Sequence, residues 1–269
     1  MSGPVTIPGS TIQAPASAAR LRSLRRFNLV VGLLHAGQAA AILVLASAVS
    51  LPVTASYLLG PPGSGDYGGP ASLLDVRVDV AVALFLLLAA VDHLTVAGTP
   101  ARGWYERNVA RGVNPARWWE YSVSASLMVV LIAMLTGIRE AAALIALLGV
   151  NAAMILFGLV MEHVNLHRDR VDWRPFVFGC VAGAVPWIAI GTQLAVSESE
   201  SNGVPGFVVA IFVSLFALFN SFAVNMWLQY RGRGRWRDPL FAERVYLVLS
   251  LVAKSALAWQ VYAGALAGA

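Results

Sequence analysis

Apolar residues recur along the chain in long runs, which are separated by short segments rich in arginine, glycine and proline. A helix needs about 20 consecutive, mostly apolar residues to cross the hydrocarbon core of a bilayer. Seven segments meet that requirement, at residues 27–49, 77–96, 116–135, 141–161, 176–195, 207–227 and 245–265. The pattern therefore predicts an all-α protein built as a bundle of seven transmembrane helices.

Two segments lie outside these seven runs. Residues 1–19 are small, polar and proline-rich, a composition typical of a disordered tail. The rest of the chain, residues 20–269, is expected to form one membrane domain. The longest connection, residues 51–75, contains the turn-forming sequence GPPGSGDYGGP, which suits either a small β-hairpin or a coil.

The overall composition supports a membrane protein. Hydrophobic residues make up 58% of the chain and charged residues 12%, and the mean hydropathy is +0.70. A soluble domain usually carries about 25% charged residues, so these charges are too few to cover a soluble surface. The formal net charge of +5 reflects arginines in short loops between apolar spans, and the chain has no basic runs with interleaved aromatic residues on a globular face. Membrane lipid is therefore the expected environment, and no nucleic-acid partner is expected.

The arginines also predict how the chain is inserted. Sixteen lie in the N-terminal segment and in alternate loops on one side of the predicted bundle, whereas only Arg77 and Arg139 lie on the other side. Positively charged residues accumulate in cytoplasmic loops. The N-terminus is therefore predicted to be cytoplasmic, with the C-terminus and the 51–75 loop outside the cell.

Lys254, the only lysine, stands within the apolar sequence LVLSLVAKSALAWQV, whereas the other 18 basic residues are all arginine. Ionisable groups deep in a membrane span are costly and usually functional. Lys254 could form a structural ion pair with a buried carboxylate. It could instead form a Schiff base with a carbonyl compound, which a desolvated lysine amine does and arginine does not. The exclusive use of arginine elsewhere favours the Schiff base.

Several other polar side chains are predicted within the spans. A protonated Schiff base needs a nearby anion, for which Glu120 is the best candidate; the alternative is that Glu120 pairs with Arg117, one turn earlier on the same helix. Ser250 is one turn before Lys254 and could bond either to the nitrogen or to its own helix. His35 and His93, at matching depths of the first two spans, could meet near Glu120 and accept a proton.

A metal site is not expected. His163 and His167 have the i, i+4 spacing that metal ligands use, but the sequence offers no third ligand.

The order of these features resembles the heliorhodopsins, a family of microbial-type retinal proteins with inverted membrane topology. The local motifs are LLHAGQ, VDHLT, WWEYSVS, GVNAAM and SLVAKS, in consecutive order along spans one, two, three, four and seven. The resemblance implies that Lys254 binds all-trans retinal, that Glu120 is the counterion, and that Ser250, His35 and His93 lie near the Schiff base. It further implies that Tyr121 neighbours the counterion and that the other cofactor-contacting residues are Ser124, Asn151, Met154 and Phe219.

The resemblance implies light sensing with a slow photocycle. A proton pump would carry further carboxylates where this chain has Leu131 and Ser250. The alternative functions are a light-driven or light-gated ion or proton transporter, and a transporter without retinal in which Glu120 and Lys254 gate the path. An enzyme is not expected, because no nucleophile–base constellation is present. The expected partners are retinal, lipid, a second copy of the chain in a homodimer, and a cytoplasmic signalling protein.

Overall fold

The computed structural model describes residues 17–200 and 203–267. In this part of the chain eight α-helices and two strands follow in the order α1 Ala18–Leu45, β1 Ser50–Leu58, β2 Tyr67–Arg77, α2 Val78–Ala97, α3 Thr99–Ala110, α4 Pro115–Leu135, α5 Ala141–Asn165, α6 Arg174–Glu200, α7 Gly206–Arg231 and α8 Pro239–Val261. A π-helical turn, Tyr262–Leu266, extends α8. The fold is thus mainly helical.

The starts of three helices show why they begin where they do. Ser17 caps α1 by accepting a hydrogen bond from the Arg20 amide, and Asn114 and Asp238 cap α4 and α8 in the same way. Pro115 follows Asn114 and Pro239 follows Asp238. Proline suits this first helical position because an amide hydrogen there would have no partner within the helix. Because α1 begins at Ala18, residues 18 and 19 are helical and do not belong to a tail; residues 1–16 lie outside the described residues.

Seven of the helices form a closed ring in the order α1, α2, α4, α5, α6, α7 and α8, and α8 packs against α1. Both ends of the α1–α8 contact are fixed by polar bonds. Arg20 pairs with Asp238, and Arg244 Nη2 donates to Ser23 Oγ at 3.0 Å. At the opposite end the Ser47 amide donates to the Leu266 carbonyl at 3.0 Å.

Six of the described helices are long and apolar enough to cross a membrane: α1, α2, α4, α5, α6 and α7. Large apolar side chains such as Val44 and Ile145 are exposed on their outer surface, where lipid would cover them. Helix α8 has 23 residues but carries Glu243, Arg244 and Lys254, which lower its hydropathy. The structure supports a multi-pass helical bundle, and the crossing of the membrane by α8 stays a prediction.

The connection between α1 and α2 is an antiparallel β-hairpin and not a coil. Its register runs from Ser50 opposite Arg77 to Leu58 opposite Tyr67, with two irregularities. The hairpin is attached to the α4–α5 loop, because the Thr54 amide donates to the Arg139 carbonyl at 2.8 Å. The hairpin therefore closes over one end of the bundle.

Helix α3 was not predicted from the sequence and lies outside the ring, at the end that carries most of the arginines. Its inner face packs Tyr105 and Val109 against Leu24, Leu240 and Leu247. The Tyr105 hydroxyl donates to Glu243 Oε1 at 3.2 Å. Burial and the nearby carboxylate raise the pKa of Tyr105 well above its usual range, so the hydroxyl stays protonated.

Candidate functional site

The only lysine lies in a buried polar contact between α8 and α4. Lys254 Nζ is 3.3 Å from Glu120 Oε1, and it donates to Ser250 Oγ at 3.0 Å. Both side chains of the ion pair are buried, with 4% and 6% of their surface exposed. Lys254 Nζ also lies 4.8 Å from the centre of the Tyr121 ring. The cation is therefore surrounded by an anion, a hydroxyl and an aromatic face.

An apolar cavity of about 330 Å³ extends from Lys254 and Ser250 between helices α4, α5, α6, α7 and α8. Its walls are mainly aromatic rings and methionines, including Trp118, Tyr121, Met154, Trp187, Phe219 and Phe222. Trp187 packs edge-on against an aromatic stripe on α7, formed by Phe212, Phe216 and Phe219, with ring centres 5.4–5.8 Å apart. The stripe therefore forms one wall of the cavity.

Two glycines give the cavity walls room for large side chains. A Cβ atom at Gly158 would lie 2.3 Å from the Trp118 ring, and one at Gly183 would lie 3.0 Å from Met154 Cγ. The first distance is too short for any side chain, so a larger residue at position 158 would displace the Trp118 ring.

The two predicted histidines meet beside this site. The rings of His35 on α1 and His93 on α2 are stacked, with centres 5.7 Å apart and planes 4° from parallel. Both are buried, and both are close enough to Lys254 for its charge to act on them. The histidines do not border the apolar cavity, so they form a buried, stacked pair separate from it.

Comparison with known protein families identifies the chain. The family model described as Heliorhodopsin matches residues 24–266, nearly the whole sequence. The chain belongs to the heliorhodopsin family. No curated protein matches it. As a heliorhodopsin it is a retinal-binding, multi-pass membrane photoreceptor and not a classical enzyme.

The residues of the site fit a retinal chromophore. The cavity volume lies in the range of about 300–1,000 Å³ that ligand pockets occupy, and its lining is mostly apolar, as a polyene requires. A single amine, Lys254, stands at its edge, with Glu120 positioned to balance a positive charge. These residues would hold retinal through the Lys254 nitrogen.

The predicted contact residues of this heliorhodopsin divide into two sets. Lys254, Ser250, Tyr121, Met154 and Phe219 border the cavity, and Glu120 reaches Lys254 from α4.

Besides the two histidines, the predicted contacts Ser124 and Asn151 do not border the cavity. Asn151 donates to Ser126 Oγ at 3.0 Å. Ser124 is fully buried, and its hydroxyl has no hydrogen-bond partner among the described residues. Among all the residues that the structure describes, no cluster of histidine, cysteine and acidic side chains is arranged to hold a metal ion.

Sequence reasoning missed a second buried ionic cluster, formed by Arg117, Glu162 and Glu243. Arg117 was considered only as an alternative partner of Glu120, but its guanidinium pairs with Glu162 on α5 and with Glu243 on α8. Asn114 joins the two carboxylates: its backbone amide donates to Glu162 Oε2 at 2.7 Å, and its side-chain Nδ2 donates to Glu243 Oε1 at 2.8 Å. A hint was present in the sequence, since all three charges lie at the arginine-rich ends of predicted spans.

The cluster is in contact with the cavity wall. The Arg117 guanidinium lies 3.9 Å from the centre of the Tyr246 ring and 4.8 Å from that of Trp118, which lines the cavity. Such cation–π contacts add to the stability of a desolvated guanidinium. The charged cluster and the chromophore cavity thus share one aromatic wall.

Proposed function

We propose that this heliorhodopsin senses light with all-trans retinal held on Lys254 as a protonated Schiff base, with a slow photocycle and without ion pumping. The observation that carries the proposal is the buried Lys254–Glu120 pair at the edge of an apolar cavity. A structural ion pair alone would need no cavity beside it. Retinal would supply the absorption of visible light.

Each residue of the site has a defined task in this proposal. The Lys254 nitrogen carries the covalent bond and the proton, and Glu120 supplies the balancing negative charge. The Ser250 hydroxyl accepts a hydrogen bond from the nitrogen and orients it. Met154 and Phe219, together with Trp187, exclude water from the polyene side. We retain Ser124 and Asn151 as residues that support the α4 and α5 walls.

The residues between Lys254 and the end of the bundle opposite the arginines support the absence of pumping. Leu131, Leu257 and Val261 are buried there in one apolar cluster. A proton pump needs carboxylates or other proton carriers on both sides of its chromophore. The second candidate function, a light-driven or light-gated transporter, would require a polar path through this cluster.

The experiment that tests this function combines retinal addition with illumination. Expressed protein mixed with all-trans retinal should develop a visible absorption band, and illuminated cells in unbuffered suspension should show no sustained pH change. Cells without retinal are the control for non-specific light effects. A missing band would favour a transporter that works without retinal. A light-driven pH change that a protonophore abolishes would make the protein a pump.

We further propose that the protein lies in the cell membrane with its N-terminus in the cytoplasm. The support is the distribution of sixteen arginines against two between the two faces. An epitope tag placed before Met1 should resist protease in intact cells and become digestible after the cells are opened. A tag that extracellular protease removes from intact cells would overturn this orientation.

The same proposal includes a homodimer and a cytoplasmic partner. A photoreceptor that moves no ions has to pass its state to another molecule. The arginine-rich face, which includes α3, is the surface that such a partner would meet from the cytoplasm.

A further inference from the structure

Four side chains form a continuous hydrogen-bonded chain from the histidine pair to the Arg117–Glu162–Glu243 cluster. His93 Nδ1 is 3.0 Å from Asn28 Oδ1, and Asn28 Nδ2 donates to the Tyr105 hydroxyl at 3.1 Å. Tyr105 in turn donates to Glu243 Oε1 at 3.2 Å. The chain crosses from α2 through α1 and α3 to α8.

Chemistry fixes the direction of every bond in this chain. Asn28 Nδ2 also donates to the Leu24 carbonyl at 3.1 Å, and a carbonyl oxygen can only accept. The amide nitrogen therefore faces Leu24 and Tyr105, and the amide oxygen faces His93. The oxygen must receive its hydrogen from His93 Nδ1. Tyr105, which accepts from Asn28, uses its own hydrogen for Glu243.

These directions determine the tautomer of His93. With its hydrogen on Nδ1, the neutral ring carries its basic lone pair on Nε2. His93 Nε2 is buried and has no hydrogen-bond partner among the described residues. This buried lone pair, unpartnered among the described residues and within the electrostatic reach of Lys254, is available to accept a proton.

The end of the hydrogen-bonded chain at Glu243 bears negative charge. The cluster contains two carboxylates and one guanidinium, each at most 5% exposed, so its full ionisation leaves one net negative charge. A hydrogen bond from Nδ1–H into a chain that ends on an anion stabilises the charged imidazolium. The carboxylate that orients a catalytic histidine acts in the same way.

We propose that Asn28, Tyr105 and Glu243 are positioning residues that prepare His93 to receive the proton released from the Lys254 nitrogen in the light. This inference rests on the proposed function. The proton leaves Lys254 Nζ and binds His93 Nε2, while the Nδ1 proton stays in place and no electrons are exchanged. The lysine nitrogen becomes neutral as the imidazole becomes charged. The proton returns by the same route, so nothing is transported.

The decisive variant is Tyr105→Phe, which keeps the ring in its apolar contacts and removes the hydroxyl that joins Asn28 to Glu243. The yield of the near-ultraviolet, deprotonated form after a flash should fall by about tenfold. The reason is that losing a hydrogen bond to a charged group changes an equilibrium constant by at least about a factor of ten. Tyr230→Phe is the matched control. Its hydroxyl bonds the Met161 carbonyl near the same cluster but is not in the chain, so the yield should not change.

Infrared difference spectra of protein with ring-¹⁵N histidine identify the acceptor directly. The wild type should show an isotope-sensitive imidazolium band in the light, and His93→Phe should lose it. Asn28→Leu and Glu243→Gln should weaken it, the first by breaking the chain and the second by removing its terminal charge. Tyr105→Phe, Asn28→Leu and Glu243→Gln each change a different residue of the hydrogen-bonded chain. The test therefore still works if one of these variants does not fold.

The outcomes separate this inference from the function on which it rests. A wild type without a visible band in the dark overturns both. A coloured wild type overturns only the inference if it shows no histidine band in the light. The same holds if Tyr105→Phe and Asn28→Leu both keep the wild-type yield of the deprotonated form.

Discussion

Replacing Lys254 by arginine should abolish the visible band completely while leaving a folded protein. Arginine retains the positive charge that Glu120 balances, so the buried ion pair at 3.3 Å can be kept. Its guanidinium does not form an imine at ordinary pH, so retinal cannot be attached. The measurement is the absorption spectrum after retinal addition, with size-exclusion chromatography and circular dichroism to show that the variant is folded.

A suitable control for this variant is Arg139→Lys. Arg139 is exposed, in the loop between α4 and α5, so this change adds a second lysine outside the cavity lining. The spectrum of the control should match the wild type. A visible band that persists in Lys254→Arg would show that retinal is bound elsewhere, and the assignment of Lys254 would be wrong.

Replacing Glu120 by glutamine should make the protein largely colourless near neutral pH. Glutamine keeps the size of the side chain but removes the negative charge opposite the Lys254 nitrogen. A buried cation without a partner anion is strongly disfavoured, so the nitrogen should lose its proton. A deprotonated retinal Schiff base absorbs in the near ultraviolet. Spectra recorded across a pH series, without added halide, measure the effect.

Two controls sharpen this test. Glu106→Gln removes a carboxylate on the outer face of α3, where it pairs with Arg102, and should leave the colour unchanged. Adding small anions to Glu120→Gln should restore part of the visible band if an anion can enter and replace the lost charge. An unchanged band in anion-free buffer would assign the counterion to another residue. Asp92, the acidic residue next to His93 on α2, would be examined next.

The sequence predicted most of the helices because long apolar runs leave few alternatives. Helix α5 begins at Ala141 and α4 ends at Leu135, as the runs indicated. Helix α3 was missed because its surface is polar and only its inner side, with Tyr105 and Val109, is apolar. The apolar pattern predicts the start of α1 too late for a related reason, since the arginine-rich segment before residue 27 has no long apolar run.

The candidate site was predictable in part. Lys254 stood out because it is the only lysine, and a buried cation requires an anion such as Glu120. The pairing of Arg117 was not predictable, because its true partners are 45 and 126 residues away in the sequence. The sequence of residues 51–75 suits either a hairpin or a coil for the same reason, because the first strand of the hairpin bonds to the distant Arg139 carbonyl. Contacts of this kind depend on how the helices assemble, which local patterns do not contain.

The closure of the ring by α1 and α8 has a consequence for how the protein is made. Chains are synthesised from the N-terminus, so α1 emerges first and α8 last. The Arg20–Asp238 pair and the Ser47–Leu266 bond cannot form until Asp238 and Leu266 have been synthesised. Lys254 and Ser250 lie on this last helix. A nascent chain therefore has no attachment point for its chromophore until every other wall of the cavity has been synthesised, and pigment formation reports that all the cavity walls have been made.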